Sequence, residues 1–246
     1  MTFKKSLLIA ATLFTATSVM ADEFSVGAGA LFNESPYKGY NENVSAVPLI
    51  HYEGEHFYVR QTTGGWIVWK DAKNEFSLTA SWMPLHFDPE DNDDPAMKQL
   101  DERKASAMLG GAYYHHERWG SLKFALAADA MDESGGVMGE ISYFRPIRME
   151  RLTLTPSVGV FFQDESFNDY YYGVSGKESR RSGLQQYTAG ETVTPYIGLG
   201  AKYQLTQNLY LNASAVYTVL PDEVKNSPMI DRDDSFALLT GLSWTF

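Results

Sequence analysis

The sequence has no cysteine and is poor in basic residues: 20 Lys and Arg stand against 31 Asp and Glu among 246 residues, for a formal net charge of −11. Without cysteine, the chain forms neither disulfides nor thiolate metal sites. The acidic balance argues against nucleic acid as a partner, because binding to phosphates requires clustered lysine and arginine. Stability must therefore come from packing and strand pairing alone.

Long apolar runs are also missing after the first 21 residues, so a transmembrane helix, which needs about 18 to 20 apolar residues, is excluded by length. What recurs is alternation of apolar and polar residues, as in Phe76-Ser-Leu-Thr-Ala-Ser-Trp82 and Leu122 to Ala130. In hydrocarbon every backbone polar group needs a protein partner, which strands obtain only in a closed sheet. We predict an all-β fold, a transmembrane antiparallel up-and-down β-barrel of about 12 strands, with ten or fourteen as the neighbouring counts.

The amino-terminal residues have the pattern of an export signal. Lys4 and Lys5 precede an apolar stretch from Leu7 to Phe14, and Ala21 ends a segment of small and aliphatic residues. We expect a signal peptide at residues 1–21, cleaved after Ala21, and one barrel domain at residues 22–246. A soluble β-sandwich is the alternative for such a strand pattern, but it does not account for the signal and the last strand together.

The last eleven residues are typical of a bacterial outer-membrane barrel. Phe236, Leu238, Leu242, Trp244 and Phe246 share one face of an extended strand that ends on an aromatic residue. Trp244 and Phe246 are the predicted barrel-assembly signal and part of the aromatic girdle. These features predict the cell outer membrane as the location, with outer-membrane lipid, lipopolysaccharide and the barrel-assembly machinery as partners.

The connections between predicted strands fall into two length classes, which orients a barrel because periplasmic turns are short and outer loops long. The short class comprises Glu53 to Glu55, Asp71 to Asn74, Arg118 to Gly120, Met149-Glu150 and Thr206 to Asn208. The long class comprises Asn33 to Asn43, Asp88 to Glu102, Asp132 to Gly136, Asp164 to Thr192 and Pro221 to Ser235, with a tight exception at Thr62 to Gly65. Both ends of the barrel domain are therefore expected on the periplasmic side.

Charged residues on the polar faces of the strands are candidates for the barrel lumen. The alternation predicts inward side chains at Arg60, Lys123, Asp129, Glu140 and Lys202. One interpretation is a narrow pore for small solutes, and the other is a lumen closed by ion pairs. The residues alone do not separate the two.

The segment from Asp164 to Tyr187 is the richest predicted loop. Its tyrosines, acid and arginines suit stacking on and hydrogen bonding to a sugar or peptide ligand: Tyr170, Tyr171, Tyr172, Glu178, Arg180 and Arg181. The alternative is that the loop folds back on its own barrel.

Catalytic and metal-binding patterns are weak. The stretch from Asp88 to Asp94 is rich in carboxylates that suit calcium or a divalent bridge to lipopolysaccharide, yet it lacks the glycine and distal glutamate of an EF-hand, which favours a solvated loop. An outer-membrane hydrolase needs a nucleophile or a water-activating carboxylate near a histidine, and Ser81 with His86 or Asp88 is the nearest candidate. There is no nucleophile elbow, HExxH or phosphate loop. We expect no enzyme activity, no cofactor and no metal.

Five segments give the chain a strong resemblance to the MipA/OmpV family of outer-membrane proteins, and most to its YiaT branch. They are SPYKGY at 35–40, PLIHYEGEHFYVR at 48–60, LDERK at 100–104, YYYGVSGKESRRSGL at 170–184 and DEVKNSPMIDR at 222–232. The resemblance implies a barrel that acts as a scaffold for murein turnover, joining a murein lytic transglycosylase and a murein synthase. A narrow solute channel and an outer-loop receptor or adhesin are the alternative functions.

Overall fold

The computed structural model describes residues 23–40 and 43–246, which form a sheet of thirteen strand segments and three short α-helices. The predicted signal peptide lies outside the described residues. The strands are β1 (Glu23–Asn33), β2 (Asn43–Glu53), β3 (Phe57–Arg60), β4 (Thr63–Lys70), β5 (Asn74–Met83), β6 (Ser106–Glu117), β7 (Gly120–Asp129), β8 (Val137–Phe144), β9 (Ile147–Met149), β10 (Leu152–Gln163), β11 (Thr192–Gln204), β12 (Leu209–Val219) and β13 (Asp234–Thr245).

The sheet closes on itself because β1 pairs with β2 on one side and with β13 on the other. Every ladder is antiparallel, and β8 and β9 both pair with β10, so these two segments are one strand interrupted at Arg145-Pro146. The result is a closed barrel of 12 strands, which confirms the predicted fold class and strand number. Among the described helices, none is long and apolar enough to cross a membrane.

Period-two alternation decides which residues face outward. Along β7, Phe124, Leu126 and Ala128 are exposed on the outer face, while Lys123 and Ala125 point inward. The same alternation places exposed aromatic and aliphatic side chains around the wall, as a lipid-facing surface requires. At the closing seam, a Cβ on Gly27 would collide with the Leu242 carbonyl, so glycine permits the close approach of β1 and β13.

The connections at the two ends differ as the sequence predicts. One end, called the short-turn end, carries the connections that follow β2, β4, β6, β9 and β11; the other, called the long-loop end, carries those that follow β1, β5, β7, β10 and β12. The long loops contain α1 (Glu165–Tyr172), α2 (Gly176–Ser182), α3 (Asp222–Lys225) and two 3-10 turns at Pro89–Asp91 and Met97–Gln99.

The hairpin of β3 and β4 departs from the predicted boundaries. Its turn lies at Gln61-Thr62 rather than at Thr62 to Gly65, and Gln61 adopts a positive φ of 57° there. Arg60 pairs with His51 near the short-turn end of β2, so the hairpin stops well below the long loops. Both strands are short, as the sequence indicates for this pair.

Candidate functional site

The long-loop end is closed by an apolar cap built from four of the five long loops. The cap cluster consists of fully or almost fully buried side chains: Tyr37, Leu85, Phe87, Met97, Leu100, Phe167, Tyr171, Tyr172, Val174, Val224, Met229 and Ile230. Aromatic contacts connect the loops: the ring centroid of Tyr37 lies 5.2 Å from that of Phe87 and 6.0 Å from that of Tyr172. A Cβ on Gly136 would collide with the Phe167 backbone, so the β7–β8 loop also packs tightly under α1.

The predicted ligand tyrosines lie mostly inside this cap. Tyr171 and Tyr172 are buried, and the Tyr171 hydroxyl donates to the Lys104 carbonyl at 3.0 Å. The hydroxyl of Tyr37 donates in turn to the Tyr171 carbonyl at 3.1 Å. Burial raises the pKa of Tyr172 above its ordinary value, so its hydroxyl stays protonated. Only half-buried Tyr170 keeps part of its ring at the surface.

Glu178 is the charged anchor of the same loop. It accepts from the Arg103 guanidinium at 2.7 Å and from the backbone amides of Asp101 at 3.0 Å and Ser175 at 2.9 Å. Burial alone would raise its pKa, but these donors outweigh burial and hold the pKa at about 2. With Ser175 it forms the capping box of α2, so one carboxylate fixes both the helix and the β5–β6 loop.

The two predicted arginines of the loop lie at the surface. Arg181 pairs with Asp101 at 2.6 Å, and both side chains are exposed. Arg180 is exposed in the last turn of α2. The six predicted ligand residues are therefore divided between a buried structural group and an exposed arginine pair.

The acidic stretch is folded into the β5–β6 loop. Asp88 caps the first 3-10 turn through the Glu90 amide at 2.9 Å, and Asp94 pairs with Lys38 at 3.1 Å. Burial opposes ionisation of Asp94, but Lys38 and two backbone amides outweigh it, which lowers its pKa. Within residues 23–40 and 43–246, no three His, Asp or Glu side chains converge as metal ligands would.

The histidines and Ser81 do not form a catalytic arrangement in the contacts of the described residues. His86 Nδ1 donates to the Pro84 carbonyl at 2.8 Å, within its own turn. His115 bonds to Asn74 and His116 to Ser121, each at 2.8 Å, on opposite faces of β6. Each ring is thus held by a different neighbour.

Predicted lumen charges are arranged as ion pairs. Arg60 binds Glu53 at 2.6 Å and Glu75 at 3.1 Å, and its guanidinium lies 3.8 Å above the Tyr58 ring. Lys123 pairs with Glu140 at 2.6 Å. Two buried side chains of opposite charge stabilise each other in such a low-dielectric site only when their hydrogen bonds are satisfied.

A polar shell satisfies Glu140 further. Its Oε1 accepts from the Tyr196 hydroxyl at 2.7 Å and from the Ser142 hydroxyl at 2.9 Å, and Tyr196 stacks on Phe161 at 4.7 Å. The lysine, glutamate and tyrosine come from β7, β8 and β11. This network follows the inner wall over neighbouring strands and gives Glu140 three side-chain donors.

The other two predicted lumen residues lie at opposite ends of the barrel. Asp129 ends β7 at the long-loop end, where it accepts from Ser106 and from the Ser134 amide at 2.6 Å. Lys202 lies near the short-turn end, 3.5 Å from Glu23 and over the Tyr210 ring. Asp129 thus shapes a loop, and Lys202 lines a cavity of about 90 Å³.

A larger cavity of about 330 Å³ lies beside the hairpin of β3 and β4. Its walls include Leu49, Met83, Met138, Phe161 and Leu239, with Arg60, Lys123 and Glu140 at its polar end. The sequence pattern assigns these charges to the inner face but does not predict the cavity. The one feature of the sequence related to it is that the two hairpin strands are short.

The short-turn end presents four exposed arginines, here called the arginine patch: Arg118, Arg145, Arg148 and Arg151. They form no ion pair in the part of the chain that the structure describes. Ser121 pairs with Phe144, which brings the β6–β7 turn beside Arg145. Sequence reasoning missed this patch because the acidic net charge hides a local basic cluster.

The predicted assembly residues lie at the seam of the barrel. Phe246 stacks on Phe24 at 5.6 Å and donates its backbone N–H to the Phe24 carbonyl at 3.0 Å. Trp244 is exposed on the outer face and pairs across to Val26 and Leu209. Both aromatic rings therefore project toward lipid near the short-turn end.

Comparison with known proteins decides the family. The family model described as MltA-interacting protein MipA matches residues 26–246. The chain belongs to the MipA family. It is 58% identical to the putative outer membrane protein YiaT of Escherichia coli K12 over 93% of both chains, and 40% identical to the MltA-interacting protein of the same strain over the full length of both.

This membership confirms the sequence-based resemblance to the MipA/OmpV family and the outer membrane as the location. The relatives YiaT of Escherichia coli O157:H7 and OmpV of Vibrio cholerae are named as outer membrane proteins. Among solved structures, an outer membrane channel from Pseudomonas putida F1 matches with a TM-score of 0.47 and 9% identity, covering 97% of this chain and all of that one. The closed antiparallel sheet of this MipA-family chain is itself the architecture of an outer-membrane β-barrel.

Proposed function

We propose that this MipA-family barrel is a membrane-embedded scaffold that holds a murein lytic transglycosylase, and through it a murein synthase, at the inner surface of the outer membrane. The observation that carries the proposal is the arginine patch at the short-turn end. In bacterial barrels the short turns face the periplasm, where murein and its enzymes lie. The proposal includes no enzyme activity of the barrel itself.

The arginine patch has the composition of a protein-binding surface. Exposed Trp119 lies on the same turn as Arg118. Arginine and tryptophan are enriched in protein interfaces, and arginines that are not neutralised steer an acidic partner toward its site. Four arginines without an ion pair to any described residue are notable in a chain of net charge −11.

The patch is also rigid, which lowers the cost of binding. Trp119 stacks on Tyr143 at 5.8 Å, and the Tyr143 hydroxyl donates to the Trp119 carbonyl at 2.6 Å. The Arg145 amide donates to the Pro156 carbonyl at 3.2 Å. The turns are therefore tied to one another and to the wall before a partner arrives.

The cap and the lumen favour a scaffold over a solute channel. An open pore requires a continuous aqueous route, whereas the cap cluster closes the long-loop end and the inward charges pair with one another along the wall. The 40% identical relative bears the name MltA-interacting protein, and that name motivates the choice of partner for this chain.

The test is a binding measurement between the nanodisc-embedded barrel and a purified murein lytic transglycosylase. The triple variant Arg118→Ala, Arg145→Ala, Arg148→Ala should bind at least tenfold more weakly than the wild type. The matched control removes three positive charges from the long-loop end: Lys98→Ala, Lys177→Ala, Arg180→Ala. It should bind within twofold of the wild type.

Unchanged binding by the patch variant, or equal losses in both variants, would contradict the assignment of the interface. The same wild-type preparation is recorded in a planar bilayer beside the binding assay. We expect no current steps, and reproducible conductance would replace the scaffold with a channel.

A further inference from the structure

The barrel wall has an opening on the long-loop side of the β3–β4 hairpin. β2 continues from Ile50 to Asn43 after its pairing with β3 ends at His51 and Arg60. Across the opening, Trp82 and Met83 of β5 continue beyond the last β4 pair, Thr63 with Ser81. Within the described ladders β2 and β5 do not pair with each other, so each has an edge there.

Each edge of the opening carries a proline where a free amide would be costly. The Ile50 carbonyl accepts a hydrogen bond from the Gln61 amide at 3.2 Å, so the backbone polar groups of Ile50 point away from β1 and toward the hairpin. Pro48 lies two residues earlier on the same strand, so its backbone points to the same side, into the opening. The Trp82 amide donates to Thr62 at 2.9 Å, and Pro84 follows two residues later. An unpaired N–H in hydrocarbon is strongly unfavourable, and proline has no backbone N–H.

The opening is framed by loop contacts above and by the hairpin tip below. Above it, the Asp88 amide donates to the Tyr40 hydroxyl at 2.8 Å, and the Asp93 amide donates to the Gly39 carbonyl at 3.0 Å. Below it lie Gln61 and Thr62. The frame is thus a window of limited height in the wall, directly below the apolar cap, with Met83 common to both.

The window leads into the 330 Å³ cavity. Residues of both edges, Val47 to Ile50 and Trp82 to Pro84, line the same cavity as Met138 and Phe161 on the far wall. The cavity therefore runs from the outer face of the barrel into the lumen. Outside the window lie exposed Ile50, Trp66 and Trp82, which face lipid.

The chemistry of the cavity suits a hydrocarbon chain. Its charged groups are already neutralised, since Lys123 pairs with Glu140 and Arg60 with Glu53 and Glu75. The remaining wall is mostly aliphatic and aromatic, and its two inward methionines adapt to an irregular apolar ligand.

The volume fits part of one chain. A cavity of about 150 Å³ accommodates benzene, and small-molecule sites span about 300 to 1,000 Å³. At about 330 Å³ the space holds the end of a single acyl chain and no folded segment of protein.

We propose that one acyl chain of a membrane lipid enters laterally through the window between β2 and β5 and occupies the lumen cavity. By the orientation of the loops, the window lies between the tip of the β3–β4 hairpin and the outer loops. This inference does not depend on the proposed scaffold function, because the window and the arginine patch lie at different heights of the barrel.

The test uses the full barrel in phospholipid nanodiscs that contain a trace of phospholipid with a diazirine near the end of one acyl chain. After photolysis, peptide mass spectrometry should locate the probe on inward residues, including Met138. Ala125→Trp fills the cavity from β7 and should lower this labelling at least tenfold. The matched control, Ala128→Trp on the outer face of β7, should leave it within twofold.

Two results would overturn the proposal. One is labelling confined to lipid-facing residues such as Leu126, or inward labelling that Ala125→Trp leaves unchanged. The other is inward labelling by diazirine-bearing decanoic acid but not by the phospholipid, since a free acid can enter from an aqueous end. If Ala125→Trp does not show heat-modifiable folding, Ala127→Phe blocks the same cavity with less added volume.

Discussion

The two ends of this barrel solve opposite problems with the same chain. At the long-loop end, aromatic and aliphatic side chains from loops far apart in sequence interlock, and buried tyrosine hydroxyls bond to backbone carbonyls. At the short-turn end, turns of a few residues cannot bury a core, and four arginines remain exposed without an ion pair to any described residue. The length of the connections therefore separates an end with a buried core from an end whose side chains stay exposed.

The largest effect on the long-loop end is expected from removing the aromatic ring of Phe167 from the cap. Phe167→Ala removes a fully buried side chain that packs at 4.8 Å from Tyr171, and such truncations cost about 3–5 kcal/mol. We expect the cap to open more than a hundredfold more often. The rate of trypsin cleavage at Arg180 and Arg181 in the folded barrel measures this.

The control for that truncation is Phe162→Ala, five residues earlier on the lipid-facing side of β10. It should leave cleavage within about threefold of the wild type, because an outward ring in contact with lipid leaves no cavity inside the cap. Equal protection of Phe167→Ala and wild type would show that the cap does not depend on this core.

Acid should loosen the long-loop end before the wall. The pKa of Glu178, about 2, lies below its ordinary value near 4.5, so its stabilisation is complete above pH 4.5 and is lost as pH falls toward 2. Hydrogen exchange of the α2 amides, corrected for intrinsic rates, should rise across that window. Arg103 is the basic side chain bonded to this carboxylate, and Asp101 is the neighbouring acid.

Glu178→Gln separates this carboxylate from general acid effects. The amide cannot ionise, so exchange in α2 should be faster at neutral pH and should vary less between pH 4.5 and pH 2. A wild-type profile that is flat across this window would exclude Glu178 as the acid-sensitive contact.

Sequence alone predicts the wall of this barrel but not its closure at one end. Each strand is encoded by the alternation of apolar and polar residues within its own segment, so neighbouring residues suffice to predict that Phe124 faces outward and Lys123 inward. The cap depends on contacts between Tyr37, Phe87 and Tyr172, which lie far apart in the chain and have no common period. The tyrosine loop therefore resembles a ligand site in sequence, although two of its three tyrosines are core residues.

The window also escaped prediction because it arises from register. Pro48 and Pro84 look like ordinary strand and loop residues until pairing shows that each lies beside an edge without a neighbour. Proline on a strand is compatible with an edge position, so this signal is present in the sequence. Its meaning depends on where the short hairpin ends.

At the short-turn end, removal of Phe246 should slow membrane insertion severalfold. The ring stacks on Phe24, and aromatic pairs contribute about 0.5–1.5 kcal/mol beyond their buried area. Phe246→Ala keeps the backbone N–H that bonds to Phe24 and should lie between the deletion and the wild type. Heat-modifiable folding over time measures insertion, and unchanged rates would refute the assembly role of this residue.

The smallest effect on stability is expected from the exposed arginines of the long-loop end. Arg180→Ala with Arg181→Ala removes one exposed ion pair, to Asp101, which contributes about 0–1 kcal/mol. This variant lacks the trypsin sites, so hydrogen exchange is measured instead, and the protection of the α1 amides should stay close to that of the wild type. If this loop also recognises a sugar or peptide, binding on a glycan or peptide array should disappear in the same variant. Binding that survives the double substitution would refute recognition by this arginine pair and would leave Arg180 and Arg181 as ordinary surface residues of the long-loop end.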